Sequence, residues 1–317
     1  MENVRQGVFD LTTKLWGLQY EKLEGIPTYH GEVEGFKVTD ADGSLIGVIL
    51  TDYFPRATKR GGAWMNNFVN QEIVDGEDIR PVIVNVGNFA KPVDGKPSLL
   101  TLDQVETLFH EYGHALHGLL SQCTYKSISG TSVARDFVEL PSQIMENWAF
   151  QKEVLADYAR HYETGEVIPD ELVAKVDAAG TFNQGFRTTE LAAAAILDLK
   201  WHMLETMEGI DPLEFEVQAC KAMGLIDEII PRYRTTYFAH IFSGGYSAGY
   251  YSYLWAEVLD KDAFELFMQK GIFDTETSMS FRRNILEMGG SEEPMTLYRQ
   301  FRGADPDPKA LIRARGL

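Results

Sequence analysis

A chain of 317 residues, 44% hydrophobic and 24% charged, holds enough apolar material for one large domain or two ordinary ones. Its formal charge of −18, with no run of Lys or Arg, argues against nucleic acid and against a membrane surface as partners. No stretch reaches the roughly 20 apolar residues of a membrane helix, and the opening "MENVRQGVFDLTTKLWG" lacks the basic start and apolar run of a secretory signal, so the expected compartment is the cytoplasm.

In chain order, the segment through "LWGLQYEKLEGIP" reads as a helix followed by loop. From Val33, "VEGFKVTDADGSLIGVILTDYF" alternates apolar and polar residues on both sides of the turn "DADG", which predicts a hairpin. "GGAWMNNFVN" and "PVIVNVGNF" extend a β-rich section to about Phe89. After "KPVDGKPSLLT" the character is helical. Thr101 is an N-cap candidate ahead of "LDQVETLFHEYGHALHGLLSQ", whose apolar stripe runs through Val105, Leu108, Phe109 and Leu116. A second helix restarts just after Pro141 in "ELPSQIMENWAFQKEVLADYARHY", and "TTELAAAAILDLKWHMLETM" predicts a third. The expected fold is mainly α with a small β-sheet, an α+β arrangement. Residues 1–95 hold a helix and the sheet, and residues 96–317 form a helical section, with no linker long enough for a flexible boundary. Cys123 and Cys220 have no CxxC partner and read as buried thiols.

The chemistry lies in "FHEYGHALH". A helix turns about 100° per residue, so His110 and His114 project from one face and both imidazoles can reach a single ion, with Glu111 beside them. This is the H-E-x-x-H spacing, in which two histidines hold zinc and the glutamate acts as base toward an activated water. Gly113 between them suits a place where another backbone approaches, at a cost of roughly 1 kcal/mol relative to alanine in a helix. Five positions with three fixed recur by chance, so the neighbourhood has to carry the assignment. A catalytic zinc wants a third protein ligand, and Glu139 lies on the segment after the intervening loop. Glu106, four residues before His110, and Glu146, seven after Glu139, can each accept the second imidazole N–H of a ligand. His117 falls on a face rotated too far to join the same ion.

A second stretch, "YFAHIFSGGYSAGYYSYLWAEVLDKDAF", sets Gly244, Gly245 and Gly249 among Tyr246, Tyr250, Tyr251 and Tyr253. The glycines allow movement or close backbone approach, and a neutral phenol can donate a hydrogen bond to a developing oxyanion.

"FHEYGHALH" followed by "SGTSVARDFVELPSQIMENWAF" resembles the thimet oligopeptidase (M3) family of zinc metallopeptidases, and within it the bacterial peptidyl-dipeptidase branch. "FPRATKRGGAWM", "HIFSGGYSAGYYSYLW" and "EEPMTLYRQFRGADPDPKALIRARGL" extend the resemblance over almost the whole chain. It implies a zincin-like, neurolysin-type catalytic region in one unit, with one Zn2+ held by His110, His114 and Glu139 and with Glu111 as general base. It also implies that His240, Tyr246 and Tyr253 contact substrate or stabilise the tetrahedral intermediate, that Tyr250, Gly244 and Gly245 line the substrate path, and that Tyr251 packs. Members of the family are about twice this length, and this chain matches their C-terminal catalytic half. The expected substrates are short unfolded peptides. Release of C-terminal dipeptides needs a cation for the free carboxylate, for which Arg135, Arg232 and Arg234 are candidates. An internally cutting oligopeptidase needs no such anchor, and a metal-binding fragment inactive without the other half is a third reading.

Overall fold

The computed structural model describes residues 1–317. Helix α1 (Glu2–Trp16) buries Val4, Val8, Leu11 and Leu15 on one face and stops at Gly17, whose φ of 76° ends the helix in the left-handed region. The segment expected as loop contains a strand, β1 (Gln19–Leu23), which pairs antiparallel with β2 (Glu34–Thr39). Its charged "YEKL" gives no apolar alternation because it is an edge strand, where backbone pairing rather than burial fixes the conformation. β2 and β3 (Leu45–Asp52) form the expected hairpin, with an irregularity at Val38/Thr39.

β4 (Trp64–Val69) forms the opposite edge of the sheet. β5 (Glu72–Val74) and β6 (Glu77–Ile79) make a separate two-stranded hairpin, turning at Asp75 and Gly76 with φ of 52° and 84°. β7 (Val82–Val86) enters the sheet between β3 and β4, parallel to the first and antiparallel to the second, so the order is β1-β2-β3-β7-β4.

Helix α2 (Leu102–Leu119) opens with a capping box in which Thr101 and Gln104 exchange side-chain and backbone hydrogen bonds. One side packs on the sheet, where Gly118 leaves room for Met65 and Ile83. The other meets α3 (Leu140–Ala149), in which Pro141 occupies the first turn rather than preceding the helix. The helices that follow are α4 (Lys152–Tyr158), α5 (Asp170–Gly180), α6 (Gln184–His202), α7 (Pro212–Ala222), α8 (Ala239–Phe242), α9 (Ser252–Lys270), α10 (Thr275–Phe281), α11 (Pro294–Arg302) and α12 (Lys309–Ala314). α6 starts four residues before and ends five residues before the segment its sequence pattern suggests.

The main core joins α1, the sheet, α2, α3 and α9 to α11 around Phe109, Tyr112, Trp148, Phe267 and Tyr298. A smaller cluster gathers Ala194, Leu197 and Trp201 of α6 with Phe238, Ile241 and Tyr250. α6 is apolar on its outer side too, and Ile196, Leu199 and Met203 lie exposed, with Phe182 just before the helix. Cys123 is buried and Cys220 half-buried, both as free thiols.

Candidate active site

Burial of Val105, Leu108, Phe109, Tyr112 and Leu116 sets the rotation of α2 and turns His110 and His114 toward α3. Their rings stand nearly perpendicular, with centroids 5.0 Å apart. Glu139, 1% exposed at the entry to α3, brings Oε2 to 3.3 Å from His110 Nε2 and 3.1 Å from His114 Nε2. The closeness of the two helices depends on Gly113, where an added Cβ would stand 2.1 Å from the Pro141 carbonyl oxygen and 2.5 Å from Ser142 Cα. The glycine in the zinc-type motif therefore makes the crossing that delivers the third donor.

The donor set fits a divalent metal. His110, His114 and Glu139 offer two imidazole nitrogens and a carboxylate oxygen within 4.8 Å of one another, a combination that suits zinc. His110 Nδ1 lies 2.6 Å from Glu146 Oε1, so the ring can donate there and turn its Nε2 lone pair toward an ion. Glu106 makes no such bond; burial, then the neighbouring Glu146 charge, pushes its carboxyl up to about 7. His114 Nδ1 is buried with no partner. His117 is fully buried away from Glu139, and burial lowers it to about 3, which keeps the ring neutral.

Two further groups hold Glu139. Ser142 Oγ donates to Oε2 at 2.9 Å, and the Tyr246 hydroxyl donates to Oε1. Glu111 points its carboxylate into a buried position, 8% exposed, with Oε2 unpartnered, and burial raises its proton affinity. Its backbone carbonyl accepts from Asn85 Nδ2 at 2.7 Å, which ties the helix to β7 at this residue.

The tyrosine loop closes over the same place. Tyr246 stacks on Tyr253 with centroids 5.1 Å apart and 17° between planes, and the Arg135 guanidinium lies 4.6 Å from the Tyr246 ring. Burial pushes both phenols upward, so both stay protonated donors. His240 sits 6.2 Å from Tyr246 and 6.4 Å from Tyr253, ring to ring, and Tyr250 is buried in the smaller cluster. Gly244 passes the His240 backbone so closely that a Cβ would meet it at 2.9 Å, and Gly245 has φ 84°. The loop is nevertheless pinned: Asp198 of α6, fully buried, accepts the N–H of Ala248 at 2.9 Å and of Tyr250 at 2.8 Å. Asp198 and Ser142 escape sequence reasoning, although a single acid inside the apolar run "AAAAILDLKW" was the available signal. Tyr251 is not a packing residue; it is 41% exposed and donates to Asp136 at 2.9 Å.

The model of peptidase family M3 matches residues 1–317. The dipeptidyl carboxypeptidase of Escherichia coli K12 is 45% identical over 316 residues, covering 99% of this chain and 46% of the relative. Oligopeptidase A of the same organism is 40% identical over 314 residues, covering 98% and 46%. A solved structure of a Pyrococcus furiosus carboxypeptidase superposes with a TM-score of 0.53 at 15% identity, over 98% of this chain and 57% of that one, a likeness of fold. The chain spans about half the length of the curated relatives it matches. With its whole length matched and its two histidines and glutamate drawn together at one point, the chain belongs to peptidase family M3.

Proposed function

We propose that this chain is the catalytic half of a zinc metallopeptidase that hydrolyses short unfolded peptides in the cytoplasm, releasing C-terminal dipeptides. The observation that carries this reading is the convergence of His110 Nε2 and His114 Nε2 on one oxygen of the buried Glu139, with Glu111 adjacent. The α2 helix lying along a mixed sheet supports a zincin-like, neurolysin-type arrangement, with residues 1–95 and 96–317 acting as one catalytic unit.

A zinc ion held by His110, His114 and Glu139 supplies a Lewis acid for carbonyl polarisation and water activation. Glu111 takes a proton from water and passes it to the leaving amine, a task suited to a carboxylate whose burial raises its proton affinity. Glu146 fixes the His110 ring, and Ser142 and Tyr246 fix Glu139. With the Tyr246 hydroxyl directed at Glu139, Tyr253 is the phenol better supported as oxyanion donor. His240 and Tyr250 form the wall beyond it, and Gly244 and Gly245 let a peptide backbone pass close. The free outer edge of β4 can pair with an extended peptide backbone without reading its side chains.

A second reading, a metal-binding half that needs the rest of the family's length for activity, draws on the bare side of α6. Ile196 and Leu199 lie exposed on its outer side, and Met203 and Phe182, at its two ends, are 79% and 76% exposed, an apolar surface that a partner segment could cover. One experiment separates the readings: cleavage of a blocked short peptide before and after phenanthroline treatment, with zinc added back. Zinc-restored cleavage by the chain alone supports the first. Zinc binding without cleavage, until the other half is supplied, supports the second.

A further inference from the structure

A peptidase that releases dipeptides differs from one that cuts internally in one physical respect: something must hold the free C-terminal carboxylate. Three arginines flank the ring cluster, and the structure separates them. Arg234 is neutralised by Glu216, which is buried and also accepts the Thr235 N–H at 2.6 Å. Arg135 covers one face of Tyr246 while Tyr253 stacks on the ring, and its Cγ lies 3.2 Å from where a Cβ on Gly249 would stand. Its guanidinium, also exposed and without a carboxylate partner, lies against the tyrosine that holds Glu139, at the metal end of the ring cluster.

Arg232 has no carboxylate within ion-pair distance and is open to solvent. It sits 5.8 Å from the Tyr233 ring, and Glu190 of α6 acts on it only from beyond ion-pair distance. Tyr233 packs against His240 at 4.8 Å, and His240 stands 6.2 Å from Tyr246, whose hydroxyl reaches Glu139. A wall of three rings thus leads from the metal-ligand carboxylate to an unpaired guanidinium.

We propose that Arg232 binds the free C-terminal carboxylate of the peptide and so sets the cut two residues from the end; this rests on the peptidase reading above. Two extended residues span about 7 Å, and the contacts at their two ends, carbonyl to metal and carboxylate to guanidinium, set the anchor further from the metal than that. A guanidinium meets a carboxylate through two parallel N–H donors, and an amidated C-terminus offers it no charge.

The test is calorimetric binding of a blocked tetrapeptide with a free C-terminus, and of its amide, to the zinc-loaded full chain carrying Glu111→Gln so that nothing is cut. The free acid should bind about tenfold to a hundredfold more tightly than the amide, the scale of a charge-assisted bond. Adding Arg232→Met should abolish that preference by weakening the acid alone, and Arg232→Lys should restore part of it. An undiminished preference in Arg232→Met, or no acid preference in its parent, overturns the anchor, as does binding of neither peptide. Failure of the peptidase reading shows separately, as no zinc-dependent cleavage by the chain with Glu111 intact, with or without the other half.

Discussion

Replacing Gly113 by alanine sets two effects of opposite sign against each other. Alanine in a helix interior is favoured over glycine by roughly 1 kcal/mol, so an isolated α2 would gain. The added Cβ, however, would lie 2.1 Å from the Pro141 carbonyl oxygen and 2.5 Å from Ser142 Cα, and both obstacles are backbone. Neither can rotate away, so α3 must move off α2 by about 1 Å in a region packed like a crystal. Such overpacking costs typically 1–3 kcal/mol, with the upper end expected where backbone must shift, so the balance is a net loss of up to about 2 kcal/mol. The displacement also carries Glu139 away from His110 and His114, which now converge to within 3.3 Å of it. Urea unfolding should report the lower stability, and competition with a chromophoric chelator should report weaker zinc retention. A Gly113→Ala chain that is more stable by the helix-propensity increment, with unchanged zinc retention, would refute the reasoning.

The two stacked tyrosines should respond differently. Tyr246→Phe removes a bond to Glu139 and should lower zinc affinity about 10- to 100-fold; Tyr253→Phe should leave zinc binding alone and lower kcat about 10²- to 10³-fold. Equal effects on zinc in a chelator titration would contradict that division. His117 supplies a pH test. Burial holds its folded pKa at about 3, below the ordinary 6.5, so the unfolded chain binds the proton more readily between those values. The stability it allows is complete above pH 6.5 and falls by up to about 1.4 kcal/mol per pH unit below it. His117→Leu should flatten the pH dependence of unfolding between pH 6 and 4, measured on zinc-free chains, and an unchanged slope would contradict it.

The features legible in sequence are those with a local period. Thr101 marked the start of α2, the "DADG" turn marked the β2–β3 hairpin, and the four-residue histidine spacing placed two imidazoles on one face. What stayed hidden depends on partners far along the chain. β1 is a strand because β2 lies beside it, and its own side chains carry no signal. Whether Glu106 or Glu146 meets a motif imidazole is decided by the α2–α3 crossing, which leaves Glu106 unbonded to either ring. Tyr246 reads as a donor to substrate, and its bond to Glu139, 107 positions away in the chain, has no signature in the sequence. Tyr251 looks like packing because its neighbours are aromatic, yet the turn into α9 faces it outward toward Asp136. Asp198 is a lone acid in an apolar helix, and only the loop it pins explains it.

The most direct test of the central claim is the zinc content of the purified chain by mass spectrometry, compared with Glu139→Ala. One zinc ion per chain in the wild type, lost on substitution, is the predicted result. A wild-type chain that takes up no zinc, or a Glu139→Ala chain that keeps it undiminished, would contradict the assignment of His110, His114 and Glu139 as the metal site.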